Sequence, residues 1–129
     1  RNILVVADSC FSAAVVRGQP AVAASTVGAG DFQSLVDRKT RMAITSGGLE
    51  PVLDNDPSSQ NSVFASVLLE NLSVNQDIIT ASELFNSIRP TVSLRAKALG
   101  IEQIPEYAPL YRAGHDGGDF IFRRLKVTD

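Results

Sequence analysis

The sequence predicts a three-layer α/β architecture, with a mostly parallel sheet flanked by helices. Residues 2–7 form a continuous β-branched and aliphatic run that ends at Asp8-Ser9, the pattern of a strand covered on both faces. Strand-type segments then alternate with segments of 3.6-residue period, in the order strand, helix, strand, two helices, strand. No internal repeat runs through the 129 residues, so one ordinary domain with a single core is expected.

Each element has a local reason. Residues 11–16 suit a short helix ending near Arg17-Gly18, and residues 19–30, without charge or period, predict an exposed connecting loop. Residues 31–40 predict a short helix with Phe32, Leu35 and Val36 on one side. RMAITS, residues 41–46, is the second strand, stopped by Gly47-Gly48. Residues 50–59 are a turn-rich acidic loop. A helix over 61–72 aligns Val63, Phe64, Val67, Leu68 and Leu72, with Glu70 outside. Thr80 and Glu83 form a capping-box pattern at the head of a long helix running towards Leu99. Leu84, Phe85, Ile88, Val92, Ala96 and Leu99 keep its rhythm, and Pro90 is expected to kink or divide it. Gly100 closes that helix. An extended Pro-containing segment follows over 101–114, then the loop GHDGGD, then Phe120-Ile121-Phe122 as a closing strand.

Composition narrows the function. Apolar residues make up 44% of the chain and charged residues 20%, the balance of a soluble globular protein, and no apolar run is long enough to span a bilayer. The net charge of −2, without basic clusters interleaved with aromatics, offers no field for phosphates, so nucleic-acid binding is not expected. One cysteine cannot form an internal disulfide, and a reducing cytoplasm is the expected location. Arg1-Asn2 leads at once into the first strand with no signal-peptide pattern, as in a chain entered in the middle of a fold.

Cys10 is the candidate for chemistry. A thiolate attacks carbonyls, and the carboxyl end of a strand in an open α/β sheet is where such proteins bind ligands. The structural alternative is a buried thiol behaving as a small apolar side chain.

The stretch ILVVADSCFSA resembles the nucleophile segment of the caspase-like cysteine peptidases, above all bacterial members and metacaspases, where an aliphatic strand runs into D-S-C-aromatic-S-G. RMAITSGGLEPVLD is similar to the strand and substrate-side loop after the interdomain linker, NSVFASVLLENL to the next helix, and QIPEYAPLYRAGHDGGDFIF to the closing segment. The resemblance covers nearly the whole chain in order. It implies a caspase-like α/β/α sandwich lacking its N-terminal strands: residues 1–18 the nucleophile strand and turn, 19–40 a linker, and 41–129 the part resembling the small subunit. Cys10 would be the catalytic nucleophile. Asp8 would line the pocket for the side chain before the scissile bond, favouring arginine or lysine; its alternative is a cap on the following helix. Thr45, Ser46 and Gly47 would offer backbone groups to the substrate strand, or simply end a strand.

The family's histidine base precedes the cysteine and has no counterpart here. His115, the only histidine, is read as a loop residue bonded to Asp116, Asp119 or backbone rather than as the base. Ala13 replaces the family's glycine after D-S-C-x-S, which puts activity in doubt more than fold. No cofactor is expected; Glu50, Asp54 and Asp56 admit a calcium reading, although a solvated acidic loop is the simpler one. Arg17, Arg38, Lys39 and Arg41 are possible autocleavage points or plain surface charge. The expected partners are a polypeptide substrate and, at the unprotected edge of the first strand, an N-terminal half of the domain or a second copy in a homo-oligomer. Competing readings are a non-catalytic interaction module or truncated pseudoenzyme, and an unrelated α/β protein with a buried thiol.

Overall fold

The computed structural model describes residues 2–9, 32–47 and 60–125. Within them the protein is mixed α/β. The strands are β1 (Ile3–Ala7), β2 (Arg41–Thr45), β3 (Ile78–Thr80), β4 (Glu106–Pro109) and β5 (Ile121–Arg123). The helices are α1 (Phe32–Asp37), α2 (Val63–Val74) and α3 (Ala81–Ala98). The expected helix over 11–16, the loop over 19–30 and the acidic loop over 50–59 lie outside the described residues.

β2 is central. It pairs in parallel with β1, Val5 opposite Ala43, and antiparallel with β4, Ala43 opposite Ala108. A second, two-stranded antiparallel sheet joins β3 to β5, Ile79 opposite Phe122. Among the described residues the main sheet is therefore mixed rather than mostly parallel, and the path of the helices explains it. A single crossover helix returns the chain to the end where the previous strand began, so the next strand runs parallel. Here two helices intervene between β2 and β4. α2 leaves from the carboxyl end of the sheet, where its cap Ser62 meets Asp8, and α3 brings the chain back to that end, where Gln103 meets Ser46. β4 therefore enters from the carboxyl end of β2 and runs the other way.

The core lies on one face of the main sheet. Met42 and Ile44 of β2 and Tyr107 of β4 pack with Val63, Phe64 and Val67 of α2 and Leu84, Ile88 and Val92 of α3. Burial of each such aliphatic or aromatic side chain stabilises the fold by about 1.5–3 kcal/mol. The opposite face carries a smaller cluster, Ala43 and Ala108 with Val5 and Leu110 against them. β1 departs from the expected two-sided burial: Leu4 and Val5 pack inward, but Ile3 and Val6 remain 44% and 43% exposed.

Helix ends follow their sequence signals. Ser62 caps α2 by accepting from the Ala65 N–H, and Thr80 and Glu83 complete the capping box of α3. Gly100, at φ +79°, ends α3 with bonds from Gly100 N–H to the Lys97 carbonyl and from Ile101 N–H to the Ala96 carbonyl. Pro90 does not divide the helix; it sits on the solvent side, where water can serve the carbonyl that its missing N–H leaves unpaired. α1 is shorter than its pattern predicts. The carbonyl of Leu35 accepts from Asp119 N–H and that of Lys39 from Asp116 N–H, so a distant loop takes groups that a longer helix would use. Gly118 is required there: a Cβ would lie 2.2 Å from the Arg38 carbonyl oxygen.

Asp119 joins these parts. Its carboxylate is buried and accepts from Tyr107 Oη of β4 at 3.0 Å, from Phe120 N–H at 2.8 Å and from Ser82 N–H in the first turn of α3 at 3.3 Å. Burial first, and the charge of Asp119 second, push the Tyr107 phenol well above its ordinary range, so it stays a donor. Asp119→Ala leaves three donors without their acceptor and is expected to cost more than about 3 kcal/mol, whereas Tyr107→Phe, which removes one bond to the charged acceptor, costs about 1.5–3 kcal/mol. Denaturant midpoints for the two variants check this order.

Candidate functional site

Parallel pairing brings the carboxyl ends of β1 and β2 together, the edge at which open α/β sheets receive ligands. Ser46 N–H donates to the Ala7 carbonyl at 2.9 Å, and the Ser46 carbonyl accepts from Gln103 Nε2 at 3.0 Å. Both backbone groups of Ser46 are therefore engaged, and β2 is already paired on either side through Thr45. Thr45 and Ser46 are fully buried, and Gly47 is buried beside them.

Asp8 follows β1 directly and is exposed. Its Oδ2 accepts from Ser62 Oγ at 2.5 Å, which joins the strand end to the N-terminus of α2. A carboxylate in that position is favoured by the partial positive charge of the helix end. Asp8 thus reaches the cap of α2, a helix more than fifty residues further along the chain, and the sequence contained one signal for it: a serine immediately before Val63-Phe64. No described lysine or arginine pairs with Asp8.

Among the described residues four buried polar atoms have no partner: Thr45 Oγ1, Ser46 Oγ and Gln103 Oε1 at this end, and Thr40 Oγ1 at the other. Gln103 must present its amide nitrogen to the Ser46 carbonyl, so its oxygen is left as an unmatched acceptor. Buried polar groups are normally satisfied, and such orphans mark places where a further group belongs. Sequence reasoning missed Gln103, whose contact spans 57 residues. Cys10 and Ala13 lie outside the described residues, as do Gly48 and the acidic residues Glu50, Asp54 and Asp56. Among the described residues no three His, Cys, Asp or Glu side chains form a group that could hold a metal ion, and no helix is long and apolar enough to cross a membrane.

His115 belongs to the other end of the sheet. Its Nδ1 accepts from the backbone N–H of Arg41, the first residue of β2, at 3.2 Å. Four residue steps along β2 separate that point from Thr45, about 13 Å, so the imidazole is remote from Asp8. Arg41 lies within β2, its guanidinium on the Thr40 carbonyl, while Arg38 and Lys39 are exposed just before it.

Burial lowers the His115 pKa from its ordinary value of 6.5, and the charges of Asp116 and Asp119 oppose that shift. A depressed folded pKa means that the neutral, accepting ring is the form the fold prefers. Its contribution is complete above about pH 6.5 and fades as pH falls through the folded pKa, when the unfolded chain binds the proton more readily. Denaturant midpoints between pH 8 and pH 5 should fall more steeply for the wild type than for His115→Gln. No family model, no curated protein and no solved structure matches this chain.

Proposed function

We propose that this chain is the nucleophile-bearing portion of a caspase-like cysteine endopeptidase, an α/β/α sandwich whose further strands come from outside these 129 residues. The observation that carries the reading is Asp8, an exposed carboxylate without a cationic partner among the described residues, at the carboxyl edge of a parallel strand pair and two residues before the chain's only thiol. A carboxylate so placed suits the guanidinium or ammonium of a substrate residue before the scissile bond.

The chemistry is acyl transfer. The Cys10 thiolate adds to the peptide carbonyl, and backbone N–H groups, that of Cys10 among them, hold the oxyanion. The C–N bond then breaks as an imidazolium protonates the leaving amine, and water hydrolyses the thioester to restore the thiol. His115 stands at the wrong end of the sheet for that imidazole, so the base comes from outside these residues. The working location is the reducing cytoplasm, which suits a reactive thiol.

One outside segment meets both needs. Ile3 N–H bonds the Thr40 carbonyl and the Ala7 carbonyl bonds Ser46, so Ile3, Val5 and Ala7 turn their backbone groups to β2. Leu4 and Val6 therefore turn theirs to the opposite edge, where no described strand pairs. The histidine-bearing segment adds its strand there and covers an edge that would otherwise invite association.

A fluorogenic peptide ending in arginine tests the activity. Hydrolysis is expected from the protein with its native flanking sequence and not from the 129 residues alone, and Cys10→Ala abolishes it. Failure of the flanked, folded protein to cleave would favour the second reading, a non-catalytic binding module, which the remote position of His115 supports. Val6→Pro removes a single N–H on the open edge and leaves the β2 ladder intact; it should abolish capture of the outside segment in a pull-down. If Val6→Pro instead turns a dimer into a monomer in light scattering, the edge binds a second copy of the chain.

A further inference from the structure

We infer that Ser62 is the positioning residue that aims the Asp8 carboxylate, and that the charge selectivity of the site depends on this hydroxyl. The inference rests on the reading of Asp8 as the receptor for a basic side chain. An exposed aspartate at the end of a strand has no packing to choose its rotamer. Among the described residues Asp8 has instead one bond, from Ser62 Oγ to its Oδ2.

Ser62 cannot move to follow Asp8. Only 8% of it is exposed, its backbone holds the extended cap geometry at φ −61° and ψ 161°, and its Oγ also accepts from the Ala65 N–H at 2.9 Å. The hydroxyl has a single proton, committed to Asp8, while a lone pair serves the helix. The next two residues, Val63 and Phe64, are each 1% exposed, so the tether is anchored in the hydrophobic core. Oδ1 has no partner among the described residues and is the oxygen left for a ligand. Thr45 Oγ1, Ser46 Oγ and Gln103 Oε1, at the same end of the sheet, are likewise without partners among the described residues.

A purely structural staple between β1 and α2 would use the same bond, so the test reads charge selectivity rather than stability. On the Cys10→Ala protein with its native flanking sequence, isothermal titration compares a tripeptide amide ending in arginine with its citrulline counterpart, a neutral near-isostere. The arginine peptide is expected to bind about fivefold more tightly. Asp8→Asn removes the difference. Ser62→Ala collapses it towards unity, and Ser62→Thr, which keeps both hydroxyl bonds, restores it. Ser62→Gly is the companion variant should Ser62→Ala fold poorly, since glycine retains most of the capping preference but has no hydroxyl. If Asp8→Asn leaves the selectivity intact, the basic-pocket reading fails and the inference with it. If Asp8→Asn abolishes selectivity while Ser62→Ala and Ser62→Gly retain it, the role of Ser62 alone is overturned.

Discussion

A carboxylate sealed inside a protein is tolerated only where donors surround it, and Asp119 is such a carboxylate. Its three donors come from β4, from the turn into β5 and from the first turn of α3, so one side chain holds the closing segment against both the main sheet and the long helix. Bonds to a charged acceptor contribute about 1.5–3 kcal/mol each, a large fraction of the net stability of a domain this size. The constraint has a distant consequence. With its start pinned at the amino end of β2, an 18-residue helix of about 27 Å delivers residues 101–105 to the carboxyl end, where Gln103 takes the Ser46 carbonyl.

The mixed sheet separates two kinds of chemistry along one strand. At the amino end of β2, a neutral imidazole and a glycine-rich loop satisfy backbone groups that no neighbouring strand serves. At the carboxyl end, two hydroxyls and an amide oxygen are buried without partners, and the Asp8 carboxylate has no cation, among the described residues. Buried polar groups without partners call for an explanation, and among the described residues they occur at both ends of β2, with Thr40 Oγ1 at the amino end. His115 is thus a structural acceptor at the amino end of β2, away from Asp8.

Much of the fold was legible locally. The capping box at Thr80 and Glu83 and the glycine after Leu99 are short-range signals, and both ends of α3 obey them, whereas the helix expected from residue 61 starts at Val63 because Ser62 is its cap. The apolar rhythm of α3 held for Leu84 to Ala96 and failed at Leu99, 42% exposed, because the helix ends at Ala98 and Leu99 is its cap residue, no longer on the helical face. β3 was invisible for a different reason. Three residues, Ile78–Thr80, are too short to show a period, and only pairing with β5 makes them a strand.

By itself the sequence determined the α/β class, the start of α3 at its capping box and its close at Gly100, the apolar faces of α2 and α3, and the position of Asp8 two residues before the only cysteine. These depend on neighbours within a few residues, which act in any context. The tertiary structure alone decided the direction of β4, the shortening of α1, the burial of Asp119, the remoteness of His115 from Asp8, and the pairing of Asp8 with Ser62. Each of those contacts joins residues far apart in the chain, at distances in sequence where no local pattern carries information and only the path of the packed helices sets what meets.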